Sequence, residues 1–377
     1  MKVLIIGGMG VIGGAIAEAA LEAGHDVKLL CRTSPQGKWN SIGAKFIKGN
    51  WYDDNCAVPT VQEGFDVIVD TLIFDARLME RSAKLVDGHC KQFIYISTDS
   101  VYAHPASSLS ENTDISLDEI NWKYGINKRK AELYLLSHNS DFNFNWSVIR
   151  PTITFGDTRI PVGFASKRGT LSLIDRLEKG KPILRFDDGK TRHALCHTSV
   201  FGKAAIGLFL NDRAYGRFYH ISDDTAYTYD EIFKVLEDIT GKKALFAFAD
   251  ANALKKYDPD AYNDMVCDKN PEFTLDNSAI KDVCPDMSFH ADLKSVLRDT
   301  VFNLKELDRK DSDYDLLTDL VLLNNNGRFE GKVSEYIAGL SDERISEIQK
   351  FVSVKRRINN TEKLKNALRP IKNKLFG

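Results

Sequence analysis

The stretch Met1-Lys2-Val3-Leu4-Ile5-Ile6-Gly7-Gly8-Met9-Gly10-Val11-Ile12-Gly13 decides the fold. Val3 to Ile6 is a short apolar run with β-branched residues, which reads as a buried strand. Gly7, Gly10 and Gly13 follow in the pattern G-x-x-G-x-x-G. Residues 11–23 then carry apolar side chains at helical spacing, with Ile12, Ile16, Ala19 and Ala20 on one face. A strand, a glycine turn and a helix in that order form a cradle for a dinucleotide pyrophosphate. One glycine permits the tight turn, one lets backbone N–H groups approach the phosphates, and one lets helix and strand pack closely. The helix N-terminus faces the anion with its partial positive charge. Gly7, Gly10, Val11, Ile12 and Gly13 are therefore the expected phosphate-side residues.

Outward from this loop the pattern alternates. Residues 26–31, 44–48, 65–72, 92–97 and 145–150 read as strands, and residues 75–86 and 120–138 as helices. Continuous apolar strands alternating with helices indicate an α/β protein with a doubly wound parallel sheet covered on both faces. Beyond Phe155 the pattern loosens, with helices expected over 170–179, 199–210 and 229–240 and a strand over 216–222. The expected organisation is a dinucleotide-binding domain from residues 1–155 with 195–222, and a smaller α/β substrate domain from 156–194 with 223–303. A C-terminal helical extension is expected over 304–377.

Two further sets of residues carry chemistry. The end of the second strand meets the adenosine ribose in such folds, where an acid selects NAD by binding the 2′-hydroxyl. Cys31-Arg32-Thr33-Ser34 stands there instead. Arg32 can pair with the 2′-phosphate of NADP, or it is a solvated loop arginine. Tyr124 and Lys128 stand at i and i+4 and project from one helix face. An ammonium near a phenol lowers the tyrosine pKa from about 10, so Tyr124 can exchange a proton with a substrate oxygen near neutral pH. The bland alternative is an exposed helix pair. Thr98 ends the preceding strand, at the sheet edge where ligands bind, and its hydroxyl can hold the same oxygen.

In this order the chain resembles an extended short-chain dehydrogenase/reductase of the NAD-dependent epimerase/dehydratase family. The resemblance runs over about residues 1–300. Beyond the glycine loop it is carried by Gly49-Asn50-Trp51-Tyr52-Asp53, Ser97-Thr98-Asp99-Ser100-Val101-Tyr102, Tyr124-Gly125-Ile126-Asn127-Lys128, Arg150-Pro151 with Phe155-Gly156, and Asp188-Gly189 with Arg192-His193 and His197. It implies a Rossmann-type sheet and hydride transfer between a nicotinamide and a nucleotide-diphosphate sugar, with Thr98, Tyr124 and Lys128 as catalytic residues. It further implies that Lys128 also holds the nicotinamide ribose, that Asn50 and Trp51 flank the adenine, that Arg192 meets the substrate diphosphate, and that the protein is a homodimer. Ile160-Pro161-Val162-Gly163-Phe164, Ile174-Asp175-Arg176 and residues 313–323 look closer to a subgroup with chloroplast stem-loop-binding proteins and bacterial oxidoreductases.

The departures shape the expected reaction. Family dehydratases carry Thr-Asp-Glu, whereas Thr98-Asp99 is followed here by Ser100, which disfavours dehydration. Asp99 is either an acid near the sugar or a strand-end hydrogen-bonding residue. Asp70-Thr71-Leu72-Ile73 replaces a small-residue segment beside the cofactor. An epimerase or an NADPH-dependent ketosugar reductase is expected, with NADP favoured over NAD. A non-catalytic RNA-binding protein on the same scaffold is the alternative of another class. It requires a basic groove with exposed aromatics, and no such run stands outside the tail.

Composition sets the outer limits. With 43% hydrophobic residues a sizeable core is available, and a net charge of −2 argues against a nucleic-acid binder over the whole protein. No apolar run reaches the roughly 18–20 residues of a membrane span. The six cysteines form no CxxC pair, and His193 and His197 have no third ligand nearby, so no metal is expected. The first residues lead straight into the glycine loop and leave no room for a signal peptide, so a cytoplasmic enzyme is expected. Residues 351–377 carry eight basic residues against one acid, with Leu364, Leu368, Ile371 and Leu375 three or four apart. That pattern suits a helix packed on the protein's own body. It also suits weak contact with an acidic partner or with the inner face of the membrane.

Overall fold

The computed structural model describes residues 1–164, 169–306, 312–325 and 328–355. Seven parallel strands form the main sheet. Five belong to the first hundred residues: β1 (Lys2–Ile6), β2 (Asp26–Cys31), β3 (Lys45–Lys48), β4 (Phe65–Asp70) and β5 (Cys90–Ile96). The others are Asn145–Pro151 and Arg217–Ile221, and the spatial order is Arg217–Ile221, Asn145–Pro151, β5, β4, β1, β2, β3. The strands alternate between two cores. Val3, Ile5, Val67, Val69, Ile94 and Ile96 face one apolar layer; Leu4, Ile6, Ile68, Phe93 and Tyr95 face the other. Burial on both faces is why these strands are apolar without interruption.

Four helices lie between the strands as far as Asn145–Pro151: α1 (Val11–Glu22), α2 (Asp54–Gln62), α3 (Ala76–Val86) and α4 (Lys123–Ser137). Sequence reading omits α2, because Pro59 lies inside it. The helix forms nonetheless: the Asp53 carboxylate caps it by accepting from the Asn55 N–H at 3.0 Å, and Ala57 and Val61 are buried. The chain runs outward from β1 in one direction through β2 and β3 and in the other through β4 and β5. The order reverses between β1 and β4, and the carboxyl ends of strands at such a reversal are where ligands bind in sheets of this kind.

The chain divides into two compact units. The first comprises residues 1–161, 189–232 and 271–303 and contains the main sheet. The second comprises 162–188, 233–270 and the described residues from 304 onward. It has its own two-stranded parallel sheet, Pro182–Arg185 with Leu245–Phe248, and a core that includes Phe164, Phe186, Leu320, Val321, Ile337 and Ile348. The boundaries differ from the expected ones. Residues 271–303 fall with the sheet, and the stretch from residue 304, expected as a separate extension, contributes Leu317, Leu320, Val321 and Leu322 to the second core. Buried charge reinforces that placement: Arg176 reaches Asp315 at 2.6 Å and Asp319 at 2.9 Å. Among the described residues no helix is long and apolar enough to cross a membrane. Residues 356–377, most of the basic tail, lie outside the described residues.

Candidate active site

The glycine turn has the geometry its spacing implies. Gly7 has φ +80°, a left-handed conformation that side chains rarely adopt, and its carbonyl accepts from the Gly10 N–H at 3.1 Å. A Cβ on Gly13 would lie 2.5 Å from the Gly7 carbonyl oxygen, so only glycine lets α1 pack this closely on the turn. Gly10 is the N-cap of α1, no side chain caps the helix, and its first turn holds no acid. The first N–H groups of a helix have no intrahelical acceptor, and Gly10, Val11, Ile12 and Gly13 supply that end here. These residues fit a dinucleotide pyrophosphate.

Lys128 lies at the carboxyl ends of β4 and β5. Its side chain is 2% exposed, and Nζ donates to the Ile73 and Ile96 carbonyls, both at 2.7 Å. Nζ also stands 4.8 Å from the Tyr95 ring centre and 5.4 Å from that of Phe74. Burial pulls its pKa down to about 7, against the opposing charges of Asp70 and Glu132. Tyr124, one turn earlier, is half-buried, with its ring 4.9 Å from that of Trp122. Gly125 is the contact that sets α4 against the turn after β5: a Cβ there would meet the Ser100 carbonyl at 1.9 Å. That turn carries Thr98 and Asp99, both buried. Thr98 Oγ1 accepts from the Ser100 N–H at 3.2 Å and donates to Asp99 Oδ1 at 3.2 Å. One carboxyl-end surface of the first unit thus gathers the glycine turn, the Thr98 turn and the Tyr124/Lys128 face.

Two residues behind this surface escape sequence reading as site residues. Glu132 is fully buried and accepts from Ser97 at 2.6 Å, Arg129 at 2.9 Å, and Arg150 at 3.0 and 2.9 Å. Burial raises its pKa, but Arg150 and the other donors prevail and hold it below the usual carboxylate range. Its signal was present, since Tyr124, Lys128 and Glu132 stand four apart on one face. The other is Asp70, fully buried at the end of β4. Its carboxylate accepts from the Leu72 N–H at 2.7 Å and from Ser82 Oγ at 2.9 Å. Burial pushes it up to about 6.

The residues expected beside an adenosine are arranged differently from expectation. Trp51 is 1% exposed, packs in the core and donates its indole N–H to Ser82 Oγ at 3.0 Å. Its ring therefore presents no open face for a base. Its neighbour Tyr52 is 41% exposed and donates to the Leu72 carbonyl. Asn50 is exposed and its amide oxygen accepts from the Tyr52 N–H at 3.2 Å. Arg32 is exposed just past β2. Arg192 is also exposed, and donates to the Ala226 carbonyl at 2.7 Å, with Glu231 3.9 Å away. His197 bonds Ser199 Oγ at 2.8 Å and caps the helix Thr198–Ile206. Among the described residues no group of three or more metal-ligating side chains forms.

The chain is similar to several known proteins. YtcB of Bacillus subtilis, an uncharacterized UDP-glucose epimerase, is 24% identical over 285 residues, covering 66% of this chain and 85% of that protein. The chloroplast stem-loop binding protein of 41 kDa b of Arabidopsis thaliana is 25% identical over 248 residues, covering 62% of this chain and 61% of that protein. Among solved structures, UDP-glucuronic acid 4-epimerase from Bacillus cereus, in complex with UDP-glucuronic acid and NAD, superposes with a TM-score of 0.65. The identity there is 17%, covering 81% of this chain and 99% of that one, a likeness of fold. The profile of the NAD dependent epimerase/dehydratase family matches residues 3–87 and 61–208. With that match spanning more than half of its length, the chain belongs to the NAD-dependent epimerase/dehydratase family.

Proposed function

We propose that this protein is an NAD(P)-dependent enzyme of the extended short-chain dehydrogenase/reductase type that transfers hydride at a carbon of a nucleotide-diphosphate sugar, with Tyr124 as its acid/base. The observation that carries the reading is Lys128, a lysine buried at the carboxyl ends of β4 and β5 one helical turn from Tyr124 and beside the turn that holds Thr98. Burial pulls this lysine down to about 7, and strongly displaced pKa values cluster at working sites.

When bound, the nicotinamide supplies the group that accepts and returns hydride. The chain's own part is binding, orientation and proton movement. Val11, Ile12 and Gly13 hold the pyrophosphate on backbone N–H groups, and Gly10, without a side chain, lets it approach. Lys128, as ammonium, holds the nicotinamide ribose and stabilises the Tyr124 phenolate. Tyr124 takes the proton from the sugar hydroxyl as it is oxidised and returns it on reduction, while the Thr98 hydroxyl orients the same oxygen. Arg192 and its exposed guanidinium meet the substrate diphosphate, Asn50 stands on the adenine side, and Asp99 orients Thr98. Trp51 supports this end from within the core rather than by stacking on the base.

Arg32, where an acid would select NAD, favours NADP, and this feature also suits a ketosugar reductase. The protein assembles as a homodimer, following its family. The relatives that handle UDP-sugars make UDP-glucose and UDP-glucuronic acid the first substrates to try. With either sugar nucleotide and a dinucleotide present, the expected outcome is a C4 epimer detected by NMR. NADP should bind more tightly than NAD, and Arg32→Ala should remove most of that margin, read by titration of both. Equal NADP affinity before and after the substitution would reject the role of Arg32.

A further inference from the structure

Lys128 and Asp70 are both withdrawn from solvent, and their surroundings differ in one respect. Asp70 is 0% exposed and its two oxygens take the Leu72 N–H and the Ser82 hydroxyl. Ser82 is itself fixed by the indole N–H of Trp51, so the carboxylate is locked in place from β4, α3 and the segment after β3. Neither Asp70 nor Lys128 makes a direct ion pair among the described residues. The other groups around Lys128 are its two carbonyl acceptors, the Tyr95 ring from β5 and Glu132 from α4. Tyr95 is a buried phenol, kept protonated by burial and by Glu132. Glu132 is already neutralised by Arg150 and Arg129. The Tyr52 phenol also senses the Asp70 charge but is turned to the Leu72 carbonyl. Asp70 and Lys128 are anchored on adjacent residues of one segment, the carboxylate by the Leu72 N–H and the ammonium by the Ile73 carbonyl, and among the described residues Asp70 is the carboxylate of this cluster that has no ion-pair partner.

We infer that Asp70 is the buried counter-charge that keeps Lys128 a cation, a positioning residue through which the grip on the dinucleotide depends on an ionised carboxylate behind the site. The inference rests on the functional reading above. Burial dominates both groups, pushing Asp70 up to about 6 and pulling Lys128 down to about 7. Each charge supports the other, so an ionised Asp70 holds the proton on Lys128 to a higher pH than the lysine would keep it alone. Without Asp70 that support is absent.

The test is dinucleotide affinity against pH, measured by calorimetry on the full chain with whichever of NAD and NADP binds more tightly. Asp70→Asn keeps the shape and the acceptor for the Leu72 N–H. Below about pH 5 Asp70 is neutral in the wild type, so the two proteins should bind equally. Above about pH 7 they should diverge, the variant binding about tenfold more weakly for each unit by which its Lys128 has fallen. A constant ratio of affinities at every pH marks a merely structural role and overturns the inference while leaving the functional reading intact. Failure of both dinucleotides to bind the wild type overturns both. If Asp70→Asn does not fold, Asp70→Ser, which also removes the charge and keeps an acceptor for the Leu72 N–H, carries the same comparison, and a pH-independent ratio to the wild type again overturns the inference.

Discussion

Glu132 shows how much of this site is carried by a residue that touches no ligand. Its carboxylate is shared between Arg150 and Arg129 and accepts from Ser97, the residue before Thr98. Glu132→Ala would leave Arg150, itself 1% exposed, as a buried charge without its partner. Breaking a buried pair in this way costs about 3–5 kcal/mol, which urea unfolding would register at neutral pH. The pH dependence has a definite sign. Because the folded-state pKa of Glu132 is depressed, its contribution is present above the unfolded value of about 4.3 and is lost as pH falls through the folded one. The gap between wild type and Glu132→Ala should therefore narrow in acid; a gap that stays constant down to strong acid would reject the ionic account. Sequence shows the four-residue spacing of Tyr124, Lys128 and Glu132 but not its burial. A glutamate four residues from a lysine reads equally well as a solvated helix pair. Asp70 is hidden for a related reason: it closes an apolar strand, and its bond to the Leu72 N–H, which helps end β4 there, is a local turn that periodicity does not report.

At the scale of elements, legibility follows the strength of the period. β2 and the helix Tyr229–Thr240 stand at their expected bounds, and β1 begins one residue before its own, because apolar runs and uninterrupted helical spacing leave one solution. The α2 helix fails the same reading because a proline inside it outweighs, on paper, the cap and the apolar contacts that sustain it. The helix Ser312–Asn324 is instructive in the opposite direction. Sequence places it in a C-terminal helical extension, yet polar residues on it are buried by specific partners. Asp319 is 0% exposed and bonded by Arg176 at 2.9 Å, Arg344 at 2.8 Å and the Tyr336 hydroxyl at 3.0 Å. Three donors on one carboxylate tie four segments of the second unit together. Asp319→Ala should destabilise that unit by about 1–3 kcal/mol, since it leaves buried donors of Arg176 and Tyr336 without their acceptor while Asp315 still neutralises Arg176. Hydrogen exchange should then quicken over residues 312–325 and 328–355, with dinucleotide affinity unchanged. Unaltered exchange there would mean that the apolar packing alone holds the helix.

For the whole molecule, the order of motifs specifies more than any one of them. The glycine loop, the Thr98 turn and the Tyr124/Lys128 helix lie far apart in sequence, and a parallel sheet brings them to one edge because every strand delivers its carboxyl end to the same side. That much is readable from alternation alone. The division into units is less so, because residues 162–188, 233–270 and those from 304 onward join by tertiary contacts between segments with no shared period. The central claim is that Tyr124 moves the proton while the rest of the site binds and orients. Single-turnover kinetics with Tyr124→Phe tests it most directly, following reduced nicotinamide on mixing the dinucleotide-loaded protein with UDP-glucose or UDP-glucuronic acid. The account predicts a loss of the chemical step by about 100-fold or more with dinucleotide affinity close to that of the wild type, since the proton path goes and the binding surface stays. Turnover by Tyr124→Phe within a few-fold of the wild-type rate would contradict it.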